Sequence, residues 1–591
     1  MPSGTSIFEA ARHIGVKIRS ECGGRGVCAK CIVLVSDPSS VSAPVEFEDE
    51  KIGREKTLGG KRLACLTKVL SDTKVQIPKE SRIGRRRVQV EGFERSVELN
   101  PNIVKIPVKV DLPALDDLRS DLERVLDAVK NRGIEVSSFD YRILHNLPTT
   151  LRESSGEVVA IIMNGEELIG VDKKGSTSTF GFAVDIGTSK IVAILVDLET
   201  GKSLASGFVE NPQMIFGEDI ISRISYAMSN RSGLHELQRA LMGGIEEAIQ
   251  MALRNVRASK DGICELVVVG NTAMHHLFLG LNPKWLALAP YVPTVNTAME
   301  LEARGLGLKM RKHVRVFLPP VIAGFVGSDA VADLLALELH KSDKNSLALD
   351  IGTNTEVFLA SQGQVLCCSC ASGPAFEGVH ISHGMKAVSG AIERIKIDSK
   401  GRVSYQTIDE EKPKGLCGSG VVDLVAGLLR RNFVDRSGRF KGSEESERIR
   451  RREGILEFLV EEKKNTSTDQ DIVFTQPDLR AVQLAKTAIQ SGWKILLGEL
   501  GLKPSDLEAV YLAGAFGNFL DSRSAKEIGL VPDVGVQKIS FVGNTAISGA
   551  KMALLSLQER KNMAALASQT RYLELGAHSG FNEVFTNSLS F

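Results

Sequence analysis

The sequence predicts a multidomain α/β protein, and three observations carry that expectation. At 591 residues the chain exceeds what one hydrophobic core serves, so roughly two to four domains are expected. From Phe180 onward, strand-like apolar runs alternate with helical patterns, which implies a sizeable sheet covered by helices. That region also echoes itself. Gly181-Phe-Ala-Val-Asp185-Ile-Gly187-Thr188-Ser189-Lys190 returns in kind as Ser346-Leu-Ala-Leu-Asp350-Ile-Gly352-Thr353-Asn354-Thr355. Glu265-Leu-Val-Val-Val-Gly270-Asn271-Thr272 returns as Ala509-Val-Tyr-Leu-Ala-Gly514-Ala-Phe-Gly517. Two similar lobes in tandem, beginning near residues 180 and 346 inside a domain spanning 179–591, are the economical reading.

Composition narrows the function. Lys+Arg total 73 against 72 Asp+Glu, and so balanced a charge supports neither a nucleic-acid partner nor a polybasic membrane anchor. No uninterrupted apolar run is long enough to span a bilayer. The opening Met1-Pro-Ser-Gly-Thr-Ser lacks the basic-then-apolar order of a signal peptide. A cytoplasmic location is expected.

Residues 1–92 are Gly-rich and hold four of the nine cysteines. In a reducing compartment such clustering means metal ligation more often than disulfides. Cys22-Gly-Gly-Arg-Gly-Val-Cys28-Ala-Lys-Cys31 forms one short loop, and Cys65 arrives later within Arg62-Leu-Ala-Cys65-Leu, at intervals of five, two and thirty-three residues. A two-iron cluster needs four thiolates, three of which a short loop can supply while a distant segment brings the fourth. Glycines 23, 24 and 26 allow the backbone to wrap that closely. A structural zinc site draws on two short Cys/His pairs, and Cys65 has no second ligand nearby; zinc and unmetallated thiols are the alternatives. A helix is expected at Ile7–His13, and a basic stretch at Arg82–Val88 ends the segment.

Residues 93–178 read as a separate connecting region. Apolar positions at helical spacing (Leu115, Leu118, Leu122, Val125, Leu126, Val129) predict a helix over Leu112–Val129. Strands are expected at Val158–Met163 and Glu167–Val171, followed by a hinge from Lys173 to Thr179. The charged stretch Arg439–Asp469 reads as a solvated insertion with a helix inside it.

Asp185-Ile-Gly187-Thr188-Ser189-Lys190 lies between two apolar strands. A hairpin tip that offers backbone N–H groups, hydroxyls and a glycine can cradle phosphate oxygens, and its leading carboxylate can organise Mg²⁺. One such motif is weak; two, each opening a half of one domain, are not. Gly418-Ser419-Gly420 ahead of an apolar helix at Val421–Leu429 suits an anion or a ribose edge. Cys367-Cys-Ser-Cys370, Cys264 and Cys417 read as small buried thiols, and His275-His276, adjacent on a helix, do not share a face for a metal. Asn211–Ile220 is a polar loop suited to the cleft. Ser372–Gly378 and His383–Glu393 are Gly-rich stretches, read as surface loops with partner or cofactor contact as the lesser alternative.

The cysteine loop resembles plant- and adrenal-type ferredoxins, which have a β-grasp fold; their opening hairpin is absent from this sequence, so an unpaired sheet edge is expected. The paired hairpins resemble the actin, sugar-kinase and acetate-kinase (ASKHA) superfamily, in which two ribonuclease-H-like lobes close over ATP. The order of ferredoxin-like domain, small α+β connecting domain and ASKHA domain resembles the reductive activators of corrinoid proteins. That resemblance rests on Gly270-Asn-Thr-Ala-Met-His-His, Asp350-Ile-Gly-Thr-Asn-Thr-Glu356, Gly373-Pro-Ala-Phe-Glu-Gly378, Gly418-Ser-Gly and Leu512-Ala-Gly-Ala-Phe-Gly517, besides the cysteine loop and Asp185-Ile-Gly-Thr.

The resemblance implies ATP-dependent reduction of an inactive Co(II) corrinoid to Co(I). Cys22, Cys28, Cys31 and Cys65 would ligate a [2Fe–2S] cluster, while Asp185 and Asp350 would organise Mg²⁺. Gly187, Thr188, Ser189, Lys190, Gly352, Thr353, Asn354 and Thr355 would hold phosphates, with Gly418, Ser419, Gly420, Gly514 and Gly517 around the nucleotide and Ser389 touching the corrinoid. It implies as partners a corrinoid protein of a methyltransferase system and an external low-potential electron donor. It further implies a homodimer served by the helix Leu112–Val129, and a connecting region that lets the cluster domain swing. The alternatives are an ATP-driven electron injector for another low-potential enzyme and a redox-regulated small-molecule kinase.

Overall fold

The structure, a computed structural model, describes all residues except 1–2, 14–15, 17, 19–23, 25, 27–28, 79–80, 82–92, 94, 174, 176–177, 442–446 and 515–519. At the N-terminal end the helix Ile7–His13 packs beside a three-stranded antiparallel sheet ordered Lys61–Leu63, Ile32–Val35, Val75–Gln76. The segment ahead of that helix is itself paired, with the Gly4 N–H donating to the Val69 carbonyl at 2.7 Å. Inside this small core Glu48 is fully buried and takes a two-point bond from Arg62, at 3.1 and 2.8 Å, plus the Leu63 N–H at 2.8 Å. This ion pair fixes the helix Glu46–Ile52 to the strand that leads to Cys65.

The connecting domain is a four-stranded sheet ordered Ile103–Lys109, Glu157–Met163, Glu167–Lys173, Ser138–Phe139, so both expected strands are present. The expected helix over Leu112–Val129 is shorter: it runs Asp121–Lys130. Ser120 closes its start, accepting the Glu123 N–H at 3.2 Å while the Glu123 carboxylate accepts the Ser120 N–H at 2.7 Å. Leu115 and Leu118 stand outside it, 100% and 85% exposed. The local cap overrides the longer apolar period.

Nor is this domain a free tether. Asp172 receives Arg311 at 2.8 and 2.5 Å, Asp140 receives Arg315 at 3.2 Å, and buried Asn102 donates to Glu265 at 2.9 Å. Residues 103–173 are thereby fastened to the first lobe. The hinge expected from Lys173 lies partly, and the basic stretch from Arg82 wholly, outside the described residues.

The two lobes repeat one plan. In the first, Ser203–Glu210, Lys190–Asp197 and Phe180–Ile186 form an antiparallel meander continued in parallel by Ile263–Gly270 and Arg315–Leu318, with Met299–Glu302 at the edge. In the second, Gln364–Cys370, Thr355–Ser361 and Ser346–Ile351 are continued in parallel by Ala509–Ala513 and Ile539–Gly543. The helices Ser328–Leu337 and Thr545–Leu555 pack between the sheets, so Ala183, Val267, Ala348, Phe358, Leu334 and Ile547 share one apolar core. Burial of that continuous seam joins the lobes at their base and leaves the cleft above it.

The stretch 439–469 holds no α-helix among its described residues. It contributes the strands Ile449–Arg452 and Ile455–Glu461 to an antiparallel sheet with Ile472–Thr475, and the one helical piece among its described residues is the 3₁₀ turn Lys463–Asn465. Phe458 and Val460, two residues apart, point inward and are buried. The charges had masked a period of two.

Candidate nucleotide cleft and cluster site

The cleft is built on two hairpin tips. Gly187 and Gly352 each sit where the chain turns back on itself: an added Cβ would lie 3.0 Å from the Lys190 carbonyl and 3.1 Å from the Asn354 carbonyl respectively. Between the tips lies a cavity of about 240 Å³. It is lined by Asp185, Gly187, Thr188, Ser189, Lys190, Asp350, Gly352, Thr353, Asn354, Gly418, Ser419 and Gly514, so most of the expected nucleotide residues meet in one place. Gly514 has φ +86, and a Cβ there would stand 2.7 Å from Asp350 Oδ1; only glycine lets that strand end pass beneath the second hairpin.

Three expected residues are placed elsewhere. Thr355 is fully buried, its hydroxyl 2.9 Å from Ser372 Oγ, under the second tip. Gly420 packs on the strand Ala391–Ile397, where a Cβ would lie 2.3 Å from the Ile392 carbonyl. The helix itself begins at Gly418, so the Gly-Ser-Gly run is its first turn rather than a loop before it. Ser389 lies outside the cavity lining, and its carbonyl accepts from Lys414 Nζ at 3.1 Å. Gly517 lies outside the described residues.

Residues that the sequence named only within motifs and loops, or not at all, complete the cleft. Asn271 caps the helix Thr272–Leu279 through its side-chain oxygen (Met274 N–H, 3.0 Å) and donates from its amide nitrogen to Thr188 Oγ1 at 3.2 Å. Asn544 does the same one lobe on: its oxygen accepts the Ile547 N–H at 3.0 Å while its nitrogen donates to Asp185 Oδ2 at 2.8 Å. A signal existed, because Gly270-Asn-Thr-Ala273 recurs as Gly543-Asn-Thr-Ala546. From the polar loop expected to line the cleft, Asn211 donates to the Gly187 carbonyl at 2.9 Å. Beyond it, fully buried Arg223 donates to the Thr188 carbonyl at 2.5 Å. Glu377 accepts from Thr353 Oγ1 at 2.6 Å and from Ser189 Oγ at 3.2 Å, one hydroxyl from each lobe.

The floor is acidic. Burial raises the Asp185 carboxyl above its ordinary range, against the pull of Asn544 and Lys190. Burial and then the Asp185 charge push Asp350 up to about 6 and Asp329 up to about 8. Asp333 and Glu356 are also held well above the usual carboxylate range by burial. So many desolvated acids favour a cation beneath the phosphates. Among the described residues no three His, Cys, Asp or Glu side chains are arranged as a ready metal cage. The thiols at 367, 368 and 370 are buried in the strand Gln364–Cys370, and Cys264 and Cys417 are buried too. His275 and His276 are likewise buried, and His276 spends its ring nitrogens on the Thr272 carbonyl and the Thr294 N–H.

In the N-terminal domain Cys31 and Cys65 converge from separate segments, with Sγ atoms 3.3 Å apart. That is far beyond the roughly 2.05 Å of a disulfide. It is close to the roughly 3.7 Å expected for two thiolates on one tetrahedral metal with bonds of about 2.3 Å. The pair therefore fits a cluster site. Cys22 and Cys28 lie outside the described residues.

Family models match four consecutive stretches: a 2Fe-2S iron-sulfur cluster binding domain at 1–70, the RACo linker region at 92–178, the RACo middle region at 180–342, and the C-terminal ASKHA domain of RACo at 344–591. The corrinoid activation enzyme RamQ of Eubacterium limosum is 30% identical over 99% of this chain and 96% of its own length. The [Co(II) methylated amine-specific corrinoid protein] reductase of Methanosarcina barkeri is 25% identical over 70% of this chain and 77% of its own. A solved structure, the reductive activator for corrinoid,iron-sulfur protein, is 34% identical with a TM-score of 0.76, covering 100% of this chain and 96% of that one. With its cluster-binding domain, connecting sheet and two-lobed ASKHA domain in that order, the chain belongs to the family of reductive activators of corrinoid proteins.

Proposed function

We propose that this protein uses ATP to pass one electron from a [2Fe–2S] cluster to the Co(II) form of a corrinoid protein, restoring Co(I). The observation that carries the reading is the union, in one chain, of a converging cysteine site with a cleft of paired phosphate hairpins. When bound, the cluster supplies a low-potential electron, near about −400 mV for plant-type centres, and Mg²⁺ offsets phosphate charge. Returning Co(II) to Co(I) is uphill from there, and each ~59 mV of mismatch costs tenfold in equilibrium. Nucleotide closure of two lobes is a two-state element able to offset it.

In this reading Cys22, Cys28, Cys31 and Cys65 hold the cluster, and Asp185 and Asp350 orient Mg²⁺. The tip residues Gly187, Thr188, Ser189, Lys190, Gly352, Thr353 and Asn354 bind phosphate oxygens. Burial raises both Asp185 and Asp350, and the Lys190 charge opposes that rise at each, so it links tip to floor. An external low-potential donor reloads the cluster, and the protein works in the cytoplasm; no helix among the described residues is long and apolar enough to cross a membrane. Ser389 stays a candidate contact to the corrinoid, tested by Ser389→Ala. A homodimer belongs to the reading; the helix expected to serve it runs Asp121–Lys130, with Val125 and Val129 buried in the connecting domain and Leu115 and Leu118 exposed ahead of it.

The test is anaerobic mixing of the reduced protein with Mg·ATP and a Co(II) corrinoid protein, followed by the Co(I) absorbance band. Formation of Co(I) that requires both ATP and Cys65 supports the reading; phosphorylation of a sugar or acid without Co(I) would favour the kinase alternative.

A further inference from the structure

The reading above leaves ATP hydrolysis without a proton acceptor, and the cleft offers one. Four carboxylates that line it are part of the floor, with buried Asp333 next to Asp350. Asp185 is held by Asn544, Asp333 by Thr545 at 2.6 Å, Glu356 by Ser369 at 3.1 Å and Asp329 by the Ala330 N–H at 2.8 Å, while Asp350 lies against Gly514. Glu377 differs in place and in partners. It lines the cavity between the two tips and is only half-buried, with each carboxylate oxygen on a hydroxyl of a different lobe.

Its position is enforced. Glu377 ends the 3₁₀ turn Pro374–Glu377, which buried Phe376 anchors in the core of the second lobe. Gly378 follows with φ +76, where an added Cβ would lie 2.5 Å from the Met385 carbonyl. No side chain fits there, so the turn has one path. Ser372, ahead of it, hydrogen-bonds Thr355 beneath the second tip. Gly373-Pro-Ala-Phe-Glu377-Gly378, read from sequence as a surface loop, is thus a fixed arm reaching into the nucleotide cleft.

We propose that Glu377 is the general base of ATP hydrolysis, an assignment that rests on reading the cleft as an ATPase site. Ser189 and Thr353 are the tip hydroxyls placed to donate to a terminal phosphate. They now donate to Glu377 at 3.2 and 2.6 Å, so a phosphate that takes those donors lies next to the carboxylate. Hydrogen-bond reach through one water is what a base requires. The water oxygen attacks the terminal phosphorus, the bond from that phosphorus to the bridging oxygen of ADP breaks, and the proton released by the water passes to Glu377. The products are ADP and inorganic phosphate, and nothing is oxidised or reduced.

The experiment compares wild type, Glu377→Gln and Glu377→Ala as full-length, cluster-loaded protein with Mg·ATP. It reads kcat and, by calorimetry, the ATP dissociation constant. Glutamine keeps the size and one accepting oxygen for the hydroxyls but cannot take the proton. The expected result is a kcat at least about 100-fold lower for Glu377→Gln, with ATP binding within about threefold of wild type. A Glu377→Gln kcat within about threefold of wild type overturns the assignment. So does a tenfold loss of ATP binding in that variant, because the residue then shapes the site instead of reacting in it. If wild type itself hydrolyses no ATP, the ATPase reading fails; if it does while Glu377→Gln keeps pace, only the base is lost.

Discussion

The two phosphate hairpins are alike in sequence and unlike in what holds them. The first, at Gly187–Lys190, is gripped from its own lobe by Asn211, Arg223 and Asn271, three side chains that converge on two residues. The second, at Gly352–Thr355, rests on the arm 372–377 through Ser372 and Glu377. One tip is a platform and the other is carried by a loop. A duplicated fold can therefore supply two phosphate contacts of the same chemistry on different supports.

Removing the grip on the platform should have the largest effect. Arg223 is fully buried, and burial has already drawn its pKa down to about 10. Arg223→Ala strands the Thr188 and Gly217 carbonyls that it serves and opens a cavity. It is expected to cost about 3 kcal/mol in denaturant unfolding and to abolish measurable ATP turnover. A variant that stays fully active would erase the distinction between the two tips.

The acidic floor sharpens the comparison through pH. Asp329, raised to about 8 by burial and by Asp185, is a carboxyl whose folded pKa lies above its unfolded value near 3.8. Its contribution to stability is full below about pH 4 and is lost as the pH rises through about 8. Asp329→Asn removes that loss. It should gain about 1–3 kcal/mol over wild type at pH 8 and almost nothing at pH 4, read by urea unfolding without nucleotide; an equal gain at both pH values would rule out titration as its cause. Smallest of all should be Ser372→Ala, which releases one support of the second tip: about 1 kcal/mol or less, with a severalfold rise in KM for ATP and little change in kcat.

Much of this was legible in the sequence, for reasons that differ by region. The cysteine loop is local in the chain, and so are the hairpin tips, whose strand–turn–strand pattern fixes their geometry at short range. Glu377, Asp329 and Asn544 reach the cleft from elements far apart in sequence, and only the packing of the helices Ser328–Leu337 and Thr545–Leu555 between the sheets brings the last two together. Asn544 was recoverable from the repeated Gly-Asn-Thr-Ala; Glu377 was not, because a Gly-rich turn says nothing about which way its tip points. The helix over Leu112–Val129 failed where Ser120 and Glu123 cap it late. The insertion failed where charged neighbours hid Phe458 and Val460.

The coupling of nucleotide to electron is tested most directly at equilibrium. A Co(II) corrinoid protein and catalytic amounts of this protein are held anaerobically at a fixed donor potential, and the Co(I) fraction is read with Mg·ATP, with Mg·ADP and with neither. Because a tenfold change in a one-electron ratio corresponds to about 59 mV, even a modest contribution from ATP should raise the Co(I)/Co(II) ratio at least about tenfold over the other two conditions. The same ratio in all three, reached at whatever speed, would contradict the account.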